Sequence, residues 1–195
     1  MNSITKTEQE KLTLFKQYGY DISKARRFVL NKARITQGRI LEIGTGRGHL
    51  AIALAKKGLR LTSVDVDRAA QKAARANLKA AQVGRLATLK IMDAEKLNYQ
   101  DNSFDQVISV NFIHHAQRPQ QCIKEMVRVA KHSIVIADLN KHGEAIMDRV
   151  HGLEGHQHEQ TRMSLNKIKA YLEKLGLSVQ SYRDTCQTVF VAKKG

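Results

Sequence analysis

Two hydrophobic periods take turns along the chain. Short β-rich runs are each followed by a stretch with apolar residues at helical spacing, and the alternation predicts an α/β domain with a largely parallel sheet. Arg39 to Ile43 reads as the first strand, and His49 to Lys57 as the following helix, with Leu50, Ala51, Leu54 and Ala55 on one face. Leu59 to Asp65, Leu86 to Met92, Phe104 to Val110 and Ser133 to Ala137 supply four more strands, the last apolar enough to be buried on both sides. Helices are expected over Arg68 to Gln82 and Gln120 to Ala130. Ahead of this core, Thr5 to Gln17 and Ile22 to Ile35 read as two polar helices broken at Tyr18-Gly19-Tyr20-Asp21, where glycine suits a helix stop. Beyond it, Asn140 to Arg162 turns polar, with no clear period, and is expected to be a loop on the substrate side. Ser164 is a good N-cap for a helix closing at Gly176. Leu177 to Tyr182 and Thr188 to Lys193 are spaced as an antiparallel hairpin. One domain is expected: a cap over 1–37, a core over 38–138, and a segment over 139–195 carrying the last helix and the hairpin.

Composition narrows the class without changing this picture. With 195 residues, 42% hydrophobic and one proline, the chain is of ordinary globular type, and disordered, collagen-like and low-complexity classes are excluded. No window is apolar enough for a membrane span, and Met1 to Thr13 is too polar for a secretory signal, so a cytoplasmic protein is expected. Cys122 and Cys186 form no CxxC and no dense framework, which gives no support to a disulfide scaffold or a cysteine metal site. The formal charge is +15, from 33 Lys and Arg against 18 Asp and Glu. Arg68, Lys72, Arg75 and Lys79 step along one face of their helix, where they could serve solubility or grip the phosphates of RNA.

Chemistry concentrates at Glu42-Ile43-Gly44-Thr45-Gly46-Arg47-Gly48, between a strand and a helix. Glycines there permit tight turns and let a ligand approach bare backbone. Asp65 ends the next strand, where a carboxylate can accept from both hydroxyls of a ribose, and Asp93 follows the third. A dinucleotide GxGxxG loop would place its third glycine at 49, whereas here it falls at 48.

In these residues the chain resembles the class I S-adenosylmethionine-dependent methyltransferases, in particular their small methyltransferase-domain branch. The resemblance implies a Rossmann-like, mostly parallel seven-stranded sheet with an antiparallel last strand and helices on both faces. It also implies S-adenosyl-L-methionine as cofactor and S-adenosyl-L-homocysteine as product. Glu42, Gly44, Thr45, Gly46 and Gly48 would lie under the amino-acid part of the cofactor, Asp65 at its ribose with Val66 beside the adenine, and Asp93-Ala94-Glu95 around the adenine. Asn111-Phe112-Ile113-His114-His115 is similar to the family's turn after the fourth strand, with Asn111 on the cofactor side. That turn lacks the Asn/Asp-Pro-Pro-Tyr pattern of amine-directed nucleic-acid methyltransferases.

A sulfonium methyl is already activated, so the protein has chiefly to align the acceptor and remove its proton. His114 is the candidate base, with a capping or packing role as the alternative, and Asp138 at the end of the fifth strand could face the acceptor or cap the next segment. His115, His151, His156, His158 and Tyr20 are the candidate acceptor contacts. No metal is assigned, since His156-Gln157-His158-Glu159 has no recognised zinc spacing. A small-molecule acceptor is expected, with RNA, or an accessory protein that binds the cofactor or RNA without transfer, as the alternatives.

Overall fold

The computed structural model describes residues 3–153 and 163–195, with side chains from Glu8 onward. The elements are α1 (Ser3–Gln17), α2 (Ile22–Ala33), β1 (Ile40–Ile43), α3 (His49–Ala55), β2 (Leu61–Asp65), α4 (Arg68–Ala80), β3 (Ala87–Ile91), β4 (Phe104–Val110), α5 (Pro119–Val129), β5 (Ala130–Leu139), α6 (Lys141–Leu153), α7 (Leu165–Lys174), β6 (Ser178–Arg183) and β7 (Gln187–Lys193). They form one seven-stranded sheet in the order β3-β2-β1-β4-β5-β7-β6. The first five strands of that order run parallel, and β7 lies antiparallel to both β5 and β6. This is the expected Rossmann-like arrangement.

Side-chain alternation divides the core between the two faces of the sheet. Leu41, Ile43, Val107, Ile134 and Ile136 pack with α5 and α7, while Ile40, Ile108, Val135 and Val191 pack with α2, α3 and α4. Each such buried side chain contributes about 1.5–3 kcal/mol. On α4, Leu78 joins this core, Ala74 is buried against Gly48, and the cations at 68, 72, 75 and 79 stay exposed, so the helix is amphipathic as the spacing implied. A third cluster joins Phe15, Tyr20, Ala25, Ile146 and Val150 and seats α1 and α6 against Leu139 at the end of β5.

The break between the cap helices forms as expected. The Gly19 and Tyr20 amides close the end of α1, and Asp21 caps α2 by accepting from the Lys24 amide at 2.9 Å. The polar stretch after β5 differs from expectation: residues 141–153 are helical. Asn140 starts α6 by accepting from the His142 and Gly143 amides at 3.1 and 3.0 Å, and Gly143, Ile146 and Val150 form a buried stripe. That stripe is only three residues wide, and Gly143 is in it because a Cβ there would lie 2.2 Å from the Cys186 carbonyl oxygen. Strand β5 also runs past Asp138 to Leu139. Among the described residues no helix is long and apolar enough to cross a membrane.

Candidate cofactor and acceptor site

The loop after β1 is tied down by backbone and small polar side chains. The amides of Gly44 and Thr45 donate to the Val64 carbonyl at 2.9 and 3.2 Å, and the Thr45 and Ser63 hydroxyls meet at 2.6 Å. Gln71 of α4 donates to the Thr45 hydroxyl at 2.9 Å, joining loop and helix. Gly44 has φ +82°, and a Cβ there would stand 2.6 Å from the Phe112 ring. Gly46 has φ +49° with nothing within 4 Å of where its Cβ would be. The first glycine therefore admits a neighbouring side chain, and the second presents bare backbone to open space.

Asp65 ends β2, and Asp93 and Glu95 follow the end of β3. One Asp65 oxygen accepts from the Gly46 amide at 2.9 Å and the other from the Asp67 amide at 3.0 Å, so each oxygen keeps a further lone pair. Asp93 accepts from the Glu95 amide at 2.8 Å, and the Glu95 carboxylate grips the backbone and guanidinium of Arg118. Together with Val66, Met92, Ala94, Phe112 and His115 these residues line a cavity of about 340 Å³. Val66 is 60% exposed, an apolar side chain poised to cover a flat ligand. Cys122 lies at the back, and burial, with help from Glu95 and Asp93, pushes its thiol up to about 12.

Glu42 is only 1% exposed. Burial pushes its carboxyl up to about 8 against the opposing pull of Ser63 and Arg26, and one oxygen has no hydrogen-bond partner. At neutral pH it is therefore mostly a protonated acid, able to donate.

Across from the glycine loop a second network joins four distant segments. Asn111, at φ 55°, donates to the Tyr20 hydroxyl at 2.8 Å and accepts from Gln187 of β7 at 2.6 Å. Arg26 of α2 donates to the same hydroxyl at 3.4 Å. Asp138 holds His114: Nδ1 lies 2.5 Å from one carboxylate oxygen, and the His114 amide donates to the other at 3.2 Å. His114 is 3% exposed and does not line the cavity; His115, whose ring centre is 3.9 Å from that of His114, does. His151 lies on α6, edge-on to Phe15. His156 and His158 fall outside the described residues. Among the described residues no group of three His, Cys, Asp or Glu could hold a metal ion.

Several participants carry no local signal in the sequence. Glu8 of α1 accepts from Arg47 and, at 2.9 Å, pairs with His49, closing the cap over the glycine loop. Burial raises the Glu8 carboxyl, but His49 and Arg47 outweigh it and hold it below its usual range. Gln187 and Arg118 likewise reach the site from segments remote from the loop, whereas Phe112 could have been found as the large residue beside Asn111.

Glycines, acids and strand ends in this order define a nucleotide-cofactor cleft at the carboxyl edge of a parallel sheet. Residues 41–136, about half of the chain, match the sequence model of a family described as "Methyltransferase domain", and the sheet order and glycine loop are similar to those of the class I S-adenosylmethionine-dependent methyltransferases. S-adenosylmethionine is the cofactor of that family. Norajmaline N-methyltransferase from Rauvolfia serpentina is 32% identical over 92 residues, 47% of this chain and 32% of its own length. The S-adenosyl-L-methionine-dependent Diels-Alderase iccD from Talaromyces variabilis is 35% identical over 99 residues, 48% of this chain and 32% of its own. The chain thus spans about a third of the length of these curated relatives. A crystal structure of a SAM-dependent methyltransferase from Aquifex aeolicus superposes with a TM-score of 0.69 at 18% identity, covering 86% of this chain and 88% of that one, a likeness of fold.

Proposed function

We propose that this protein is an S-adenosylmethionine-dependent methyltransferase acting on a small-molecule acceptor. One observation carries the reading: the cavity in which Asp65, Asp93 and Glu95 stand at the ends of neighbouring strands, beside a loop whose Gly46 opens onto free space. In this reading Asp65 takes the ribose hydroxyls, Val66 and Ala94 cover the adenine, Asp93 accepts from its amine, and Glu95 fixes the wall through Arg118. Gly44, Thr45, Gly46 and Gly48 cradle the amino-acid end, with the protonated Glu42 beneath them and Asn111 opposite. The bound cofactor supplies an activated methyl group.

The chain acts as one domain, in which 1–37 is the cap, 38–138 the cofactor core and 139–195 the acceptor-side segment. Asp138 accepts the Nδ1 proton of His114, which places the imidazole lone pair on Nε2, the atom that takes a proton from the acceptor. The burial of His114 requires that acceptor to be enclosed under the cap, which suits a small molecule better than a duplex. His115, Tyr20 and His151 are the described acceptor contacts, and His156 and His158 complete the set. Phe, Tyr and Trp make up only 5% of the chain, a thin supply of stacking platforms for RNA.

Calorimetric titration with S-adenosylmethionine and S-adenosylhomocysteine, with NAD as control, tests the cofactor half. Binding of the first two alone is expected, and failure of both removes the reading. A labelled-methyl assay over alkaloid, quinol and phospholipid-amine acceptors tests the other half. A second reading, catalysis with the cofactor bound but no methyl transferred, is favoured by the likeness to a Diels-Alderase; turnover of a ring-forming substrate without release of S-adenosylhomocysteine would select it.

A further inference from the structure

The positive charge of the chain is unevenly placed. Residues 21–90 carry 16 Lys and Arg against four Asp and Glu, and so hold +12 of the +15, whereas residues 91–195 carry 14 against 12. The first span supplies α2, α3 and α4, which pack together over one face of the sheet. On that face α1, α2, α3 and the end of α4 enclose a second cavity, of about 600 Å³, which shares no lining residue with the cofactor cavity. This volume is within the range of about 300–1,000 Å³ typical of small-ligand sites.

The walls of this cavity have two characters. Leu30, Ile52 and Ala53 make an apolar floor, while Arg27, Lys56 and Lys57 stand at it with no ion pair among the described residues. The one acid on its wall, Glu8, is already taken by Arg47 and His49. Arg26 also lines it, is 8% exposed, and has a buried Nε with no hydrogen-bond partner. Its guanidinium, which donates to Tyr20, adds a fixed buried charge behind the cavity wall that favours an anion there.

We propose that this cavity binds a small amphipathic anion, with a carboxylate or phosphate head at Arg26, Arg27, Lys56 and Lys57 and an apolar body along Leu30 and Ile52. Neither part suffices alone, since exposed cations hold free phosphate weakly and a neutral chain leaves the cations at the cavity without a counter-charge. The site is independent of the cofactor reading. Through Glu8, His49 and Arg26 it abuts residues that touch the glycine loop and Tyr20.

Calorimetry on the full chain with decanoate, decyl phosphate, decanol and inorganic phosphate tests the site. Saturable single-site binding of decanoate or decyl phosphate is expected, the tighter of the two identifying the head group, with decanol and inorganic phosphate weaker by at least about tenfold. The double variant R27E/K57E, both positions lying outside the cofactor cavity, should weaken binding by at least about tenfold, while K167E/K174E on α7, with the same change in net charge, should not. Circular dichroism and thermal melting report that both variants fold. Equal loss in the two variants would assign the effect to bulk charge, and no loss in R27E/K57E would remove the site. A short RNA that binds saturably where neither decyl compound does would make the face a polyanion surface instead. Each of these three results overturns the proposal.

Discussion

Gly44–Gly48 follow β1 and Asn111 follows its sheet neighbour β4, yet the two turns are held in opposite ways. The glycine loop is fixed chiefly by its own backbone, with amides on Val64 and on the Asp65 carboxylate, and by side chains near in sequence, Ser63 and Gln71, with Glu8 of α1 as a remote contact. The Asn111 turn is fixed by side chains from α2, β7 and the break after α1, which are remote in sequence. A backbone-built site tolerates change in side chains but not in conformation, whereas a network of side chains tolerates neither the loss of a partner nor its replacement by an apolar group.

The largest effect should come from the acid beneath the loop. Glu42 is raised from 4.5 to about 8 by burial, so the native state keeps a proton that the unfolded state gives up between those values. Its contribution to stability is therefore complete below about pH 4.5 and is lost as pH rises through about 8, a span worth up to about 5 kcal/mol at about 1.4 kcal/mol per pH unit. Glu42→Gln should leave stability little changed at the acid end of this window and raise it at the alkaline end. Urea melts of both proteins across the range check this; parallel pH profiles would show that Glu42 is ionised and paired.

Next come the two glycines, which separate strain from obstruction. Gly44→Val places a branched side chain at positive φ against Phe112 and should cost about 4 kcal/mol as well as abolishing cofactor binding. Gly46→Ala meets no neighbour and should cost about 1 kcal/mol, while S-adenosylhomocysteine affinity falls far more than stability does. Thermal melts paired with calorimetry separate the two cases, and equal stability losses would break the distinction between them.

This contrast also explains what could be read from the sequence. Strand β1, the glycines, Asp65 and Asp93 are legible because each sits at a fixed offset from a hydrophobic run, and the loop is assembled within about 30 residues. Asp138 and His114 were visible singly, but their pairing depends on β4 and β5 being neighbours in the sheet, a property of topology. Glu8, Gln187 and Arg26 gave no sign, since a polar residue in a polar helix or at a strand end looks the same whether it faces water or a buried partner. Helix α6 was hidden for a related reason: a glycine where a helix would normally carry a larger residue breaks the apparent period, and only contact with the Cys186 carbonyl explains it.

On the side-chain-built half, Asp138→Ala should remove the carboxylate that meets both the ring Nδ1 and the amide of His114, costing about 2 kcal/mol and slowing transfer by about a hundredfold. Asp138→Asn keeps an oxygen for the His114 amide but can turn a donor toward Nδ1 and favour the other tautomer, so rate should fall more than stability. If both variants lose stability and rate in proportion, the pair is a packing device only.

The smallest effect belongs to Tyr20→Phe, which also tests the coupling between cap and core. The hydroxyl accepts from Asn111 and from Arg26, so its loss leaves one half-buried and one buried donor short of a partner at a cost of about 1–2 kcal/mol. Because Asn111 is held at positive φ and remains tied to Gln187, the turn should survive, and the change should appear in acceptor KM rather than in cofactor affinity. A double-mutant cycle of Tyr20→Phe with Gln187→Met measures whether the two anchors act through Asn111 together. A coupling of about 0.5 kcal/mol or more is expected of residues in one network, and simple additivity would mean that cap and sheet hold the turn independently.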